Sequence, residues 1–169
     1  MAKISKVSCV KFVPYEEDIH SQFVRFQTSA DGCWTKTVGR PMNGPSVVNI
    51  GDGCGSGKKI LHEVLHSVGM FHTHQRHDRD DYIVVNTSNI SPGNAAGFKQ
   101  LTKTQFPDLG VAYDCRSIMH YPKKFFSVNQ ENTIDAKDGG NCTTVGPENA
   151  KMTENDILWL NLFYQCPKV

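Results

Sequence analysis

Read as a pattern of apolar and polar positions, the chain changes character twice. Up to residue 50 the apolar residues come in short bursts. Val7–Val13 alternates, Gln22–Gln27 carries Phe23, Val24 and Phe26, and Ser46–Ile50 is β-branched. Gly39-Arg40-Pro41 and Asn43-Gly44-Pro45 separate the later bursts, which predicts short strands joined by turns. After the glycine-rich stretch Gly51–Gly57 the period lengthens. Ile60, Leu61, Val64, Leu65 and Val68 recur at helical spacing, so Lys58–Val68 reads as an amphipathic helix that Gly69 is placed to end.

Residues 78–145 are rich in Asn, Gly and Pro and predict little regular structure beyond a short helix near Asn94–Gln100. The pattern sharpens again at Thr153-Glu154-Asn155-Asp156, a capping box that opens a helix with Ile157, Leu160 and Tyr164 on one face. No linker or repeat interrupts the chain. The expectation is one α+β domain over residues 1–169 with two subdomains, about 1–69 and 70–169, the first regular and the second loop-rich.

Composition narrows the partners. Eighteen Lys and Arg against 17 Asp and Glu leave a formal net charge of +1, which gives no reason to expect nucleic acid or an anionic membrane surface. No apolar run approaches the ~18 residues of a spanning helix. Six cysteines, Cys9, Cys33, Cys54, Cys115, Cys142 and Cys166, include no C-x-x-C pair, which argues against a thiolate zinc site or a thioredoxin-like centre. Three disulfides in an oxidising, secretory compartment are preferred to free thiols. The opening MAKISKVSCVKFV has no apolar stretch like that of a signal peptide, so the expectation is an excised portion of a longer secreted precursor.

The chemistry concentrates in His62-Glu63-Val64-Leu65-His66-Ser67-Val68-Gly69-Met70-Phe71-His72. On a helix, residues four apart share a face, so His62 and His66 present two imidazoles to one ion. Gly69 allows a sharp turn with positive φ that returns His72 as a third ligand, leaving the open position a catalytic zinc needs. Glu63, roughly 100° around the helix from His62, reaches a zinc-activated water without ligating the metal and suits a general base. The residues therefore point to one Zn2+ and to hydrolysis of peptide bonds. No G-x-S-x-G elbow or recognisable cysteine-protease context competes with that reading.

The run HEVLHSVGMFHTHQRHDRD from His62 to Asp80, followed by Ser117-Ile118-Met119-His120-Tyr121, resembles the astacin family of the metzincin clan. The family pattern is H-E-x-x-H-x-x-G-F-x-H-E-x-x-R-x-D-R-D. The resemblance extends to Cys9-Val10-Lys11-Phe12-Val13-Pro14, Gly32-Cys33-Trp34, Tyr113-Asp114, and Asp156-Ile157 with Leu162-Phe163-Tyr164-Gln165-Cys166. It implies a metzincin-type catalytic domain, with a twisted mixed β-sheet and the zinc-binding helix in the N-terminal half and a loop-rich C-terminal half ending in a helix. It implies a secreted zinc metalloendopeptidase acting on internal bonds of protein or peptide substrates.

Residue by residue, the resemblance makes Met119 the Met-turn methionine beneath the zinc site. Tyr121 becomes an additional zinc ligand in the resting enzyme that swings away to donate a hydrogen bond to the oxyanion. It implies disulfides Cys9–Cys166 and Cys33–Cys54, after which Cys115 and Cys142 remain to pair with each other. Two departures stand out. Met70 replaces a phenylalanine, and Thr73 replaces a glutamate that in the family anchors the buried N-terminus of the mature enzyme. Family members carry some thirty to forty residues before the first cysteine, and MAKISKVSC resembles the tail of a helix in that segment. A catalytically inactive or truncated zinc-binding module of the same fold is the alternative, and Glu63 favours the enzyme.

Overall fold

A computed structural model describes residues 1–30 and 32–167. Their contacts divide the chain into two compact units, Met1–Phe71 with the end of the chain from Tyr164, and His72–Phe163.

The first unit is built on a three-stranded mixed sheet. Strands β1 (Val24–Gln27), β2 (Cys33–Thr35) and β3 (Ser46–Ile50) take the order β1-β3-β2. β3 pairs parallel to β1, with Val24 opposite Ser46, and antiparallel to β2, with Thr35 opposite Val48. A strand bonded on both edges and covered on its faces has no solvent side, which is why Ser46 through Asn49 are all buried and the run does not alternate. The second of the three α-helices among the described residues, α2 (Gly57–Ser67), lies against β2 and β3. Leu61, Val64 and Leu65 form its buried stripe. Ser56 caps it, its side chain accepting from the Lys59 amide.

The expected strand over Val7–Val13 is not formed. Ala2–Val7 is instead a short helix, α1, anchored by the fully buried Ile4, and residues 9–16 have no regular structure. Alternation alone does not make a strand without a partner edge, and Val13 is 68% exposed. The Cys9–Cys166 disulfide ties this segment to the end of the chain, and Cys33–Cys54 joins β2 to the approach to α2.

In the second unit a two-stranded antiparallel sheet, β4 (Ile83–Val85) with β5 (Ile134–Ala136), pairs Val84 with Asp135. Around it Ile83, Ile90, Phe98, Tyr113, Ile134 and Val145 make a core that includes the Cys115–Cys142 disulfide. The helix expected near residues 94–100 is a single 3-10 turn, Ala95–Phe98. Helix α3 (Glu154–Phe163) opens with the capping box in full: the Asp156 amide donates to Thr153 Oγ1 at 3.1 Å, and the Thr153 amide donates to Asp156 Oδ2 at 2.9 Å. Among the described residues no helix is long and apolar enough to cross a membrane.

Candidate active site

Helix α2 sets the first two histidines four residues apart on one face, and their Nε2 atoms lie 3.1 Å apart. Ligands held about 2.0–2.1 Å from one tetrahedral centre would stand about 3.3 Å apart, so this spacing suits a shared ion. The helix ends in a Schellman motif. The Gly69 amide donates to the His66 carbonyl at 2.9 Å, the Met70 amide donates to the Leu65 carbonyl at 3.0 Å, and Gly69 takes φ +98°. That turn redirects the chain within a few residues, and the ligand nitrogens of His62, His66 and His72 all come within 4.8 Å of one another.

The same motif fixes the chemistry of His66. The Met70 carbonyl, which only accepts, lies 2.7 Å from Nδ1, so the ring proton sits there and Nε2 keeps its lone pair. Burial, and then the neighbouring His62, push the His66 pKa down to about 3, against the Met70 bond. The ring is neutral at physiological pH, as a metal ligand must be. Three convergent imidazoles, one of them a buried neutral donor with its tautomer already set, fit a zinc ion.

Glu63 faces another direction on α2 and is only 7% exposed. Burial raises its carboxyl pKa, and a hydrogen bond from Thr35 opposes that rise. Thr35 Oγ1 lies 2.8 Å from both the Glu63 carbonyl and Oε2, so one hydroxyl proton serves two acceptors on the same residue. Sequence reading missed Thr35. It sits in a three-residue strand, too short to show a period, and its only flag is its place directly after Cys33-Trp34.

The remaining sequence candidates lie in the second unit. Met119 is fully buried, and its carbonyl accepts from the Thr73 amide at 3.1 Å, tying the Ser117–Tyr121 segment to the one just past His72. Asp156, on the first turn of α3, holds the Ser117–Tyr121 segment from beneath. Ser117 Oγ donates to Oδ1 at 2.5 Å and the Ile118 amide to Oδ2 at 3.2 Å. Burial raises the Asp156 pKa, against the bonds from Ser117, Thr153 and Ile118. Tyr121 stands beside His72, ring centroids 4.4 Å apart. The charged run after His72 is folded back on itself: Arg76 is bidentate to Asp78 at 2.9 and 2.8 Å, and Arg79 pairs with Asp80.

The chain matches the astacin peptidase family over residues 1–165. It is 38% identical over 159 residues to zinc metalloproteinase nas-14 of Caenorhabditis elegans, covering 94% of this chain and 31% of that protein. To nas-13 of the same organism it is 39% identical over 137 residues, covering 81% and 29%. The chain thus spans about a third of the length of the curated relatives it matches. Among solved structures, high choriolytic enzyme 1 of the medaka Oryzias latipes, a hatching enzyme zinc-protease, superimposes with a TM-score of 0.82 at 30% identity, covering 98% of this chain and 82% of that one.

Proposed function

This chain belongs to the astacin family of zinc metalloproteinases, and on that premise we propose that it is a secreted endopeptidase cutting internal bonds of extended proteins or peptides. The carrying observation is the three-histidine zinc site, His62, His66 and His72, with the buried carboxylate of Glu63 on the same helix. The three disulfides support a life in an oxidising compartment. We take the two units as subdomains of one catalytic domain.

Bound by His62, His66 and His72, zinc would supply Lewis acidity, acidifying water and polarising a carbonyl. The protein's own groups do the rest. Glu63 takes the proton of the water as its oxygen bonds to the peptide carbon. It then delivers that proton to the amine nitrogen as the C–N bond breaks. The Tyr121 phenol donates a hydrogen bond to the oxyanion of the tetrahedral adduct, a demand that arises only beyond the ground state. In the resting enzyme the same phenol would be a further group holding the zinc. Met119, closely packed and uncharged, supports the floor of the site.

The test is hydrolysis of a quenched-fluorescent peptide library by this chain beside its Glu63→Ala variant. Cleavage that disappears in the variant and with a zinc chelator is the expected result, and the cleaved positions give the side-chain preference. Zinc binding without cleavage by either form would replace the enzyme with the second reading, a zinc module that does not turn over.

A further inference from the structure

The Tyr121 ring is enclosed by aromatic groups from its own unit. His74 stacks on it at 3.9 Å between centroids and 26° between planes. Phe125 lies at 4.6 Å and Phe98 meets it edge-on at 5.6 Å. A Cβ on Gly97 would stand 3.6 Å from the phenol oxygen, so the hydroxyl end of the ring lies over a residue with no side chain.

His74 is built to hold its position. It is fully buried, and its Nε2 lies 2.9 Å from the Gly97 carbonyl, an acceptor that places the ring proton on that nitrogen. Its own carbonyl accepts from Arg79 Nη1 at 3.1 Å. Both ring and backbone are therefore pinned. His74 also shares the 3-10 turn Thr73–Gln75 that follows His72, and the bond from the Thr73 amide to the Met119 carbonyl sets that turn in register with Ser117–Tyr121. One backbone contact thus fixes the ring on which Tyr121 rests relative to the ligand beside it.

We propose that His74 is a positioning residue for Tyr121, its imidazole forming with Phe125 an aromatic seat that selects the phenol's resting place. The inference rests on the catalytic role assigned above to Tyr121. His74 touches neither substrate nor metal in this scheme. It acts by narrowing the positions open to a side chain whose oxygen must be within hydrogen-bond reach of the developing charge.

A double-mutant cycle on the zinc-loaded protein tests it. His74→Gln, which keeps an N–H donor and removes the ring, is expected to lower kcat about tenfold with KM nearly unchanged, as for an interaction made in the transition state. His74→Phe, which keeps the ring, recovers most of that loss. In a Tyr121→Phe background His74→Gln has no further effect on kcat. Equal losses in both backgrounds would overturn the proposal. Phe125→Leu, at a 40% exposed position that tolerates replacement, gives a smaller loss with the same dependence on Tyr121.

A second readout needs neither metal nor turnover. In zinc-free protein labelled with ring-13C tyrosine, the Tyr121 signals, assigned by their absence in Tyr121→Phe, carry a ring-current shift. That shift collapses in His74→Gln and persists in His74→Phe. Signals that do not move in the Gln variant would remove the seat. Wild-type kcat in Tyr121→Phe would remove the catalytic role of Tyr121 instead, leaving the spectra to decide the seat.

Discussion

The two units hold their candidate site residues by different means. In the first, His62, Glu63 and His66 are spaced by the backbone ladder of α2, and local bonds from Thr35, Gly69 and Met70 only refine them. In the second, the segments carrying His72, Met119 and Tyr121 have no ladder, and isolated backbone bonds and single side chains replace it. Arg76 bonds the Val111 carbonyl, Arg79 the His74 carbonyl, Asp156 the Ser117 hydroxyl and Ile118 amide, and His120 the Tyr121 carbonyl. A helix spreads its stability over many equivalent bonds, whereas a side-chain scaffold concentrates it in a few atoms. Single substitutions separate the two.

The largest expected effect is at Asp156. Asp156→Ala leaves the buried Ser117 hydroxyl and Ile118 amide, and the half-buried Thr153 amide, without their acceptor, and each of the two buried orphans costs about 1–3 kcal/mol. A loss of about 3 kcal/mol or more in urea unfolding is expected, with kcat reduced. Removing a helix cap in the first unit, Ser56→Ala, is expected to cost only about 1 kcal/mol. Equal losses would erase the distinction between the units.

The next effect tests a place where the first unit also relies on a single residue. At φ +98° Gly69 occupies backbone space that disfavours a side chain. Gly69→Ala is expected to cost about 1–2 kcal/mol. Zinc affinity, measured by chelator competition, is also expected to fall, because the Met70 carbonyl that orients His66 lies on the next residue. Unchanged zinc affinity would show that the Schellman turn ends the helix without organising the ligands.

The same division explains what was readable in the sequence. The helix of His62 and His66 shows itself through apolar spacing, and the third ligand through Gly69 and a fixed offset, because regular backbone imposes a period on its residues. The capping box at Thr153 was legible for the same reason, but the second use of Asp156, across 39 residues to Ser117, left no periodic trace. Nothing local to His74 in the sequence disclosed that it would stack on Tyr121. β2, β4 and β5 are three residues each, below the length at which alternation is a signal. At Val7–Val13 alternation was visible, but the segment joins neither sheet.

A smaller effect is expected from Thr35, a side chain that reaches the Glu63 carboxylate from the sheet. Thr35→Val keeps the shape of the residue and removes the hydroxyl bonded to Oε2 at 2.8 Å. We expect kcat to fall about tenfold, equivalent to about 1.4 kcal/mol, with zinc content and unfolding midpoint little changed. Thr35→Ser should restore the rate. A Val variant with full kcat would mean that α2 alone orients the base, making the first unit even less dependent on single side chains.

The smallest effect concerns protons, and it compares one histidine from each unit. Burial lowers the pKa of His120 to about 4, against its bond to the Tyr121 carbonyl and the nearby Asp114, and burial with His62 lowers that of His66 to about 3. The unfolded chain takes up a proton on each ring near pH 6.5, while the folded chain does not until the pH is far lower. Stability is therefore fully present above pH 6.5 and declines as the pH falls from 6.5 toward the folded values. A single such ring contributes a loss of about 0.7 kcal/mol between pH 7 and pH 6. His120→Asn keeps an N–H for the Tyr121 carbonyl and removes the titrating group, so its stability should decline less steeply over that interval than the wild type's, while the His66 contribution remains. Parallel declines in urea midpoints would mean that His120 is not held neutral by the second unit, and that the acid sensitivity belongs to the helix of the first.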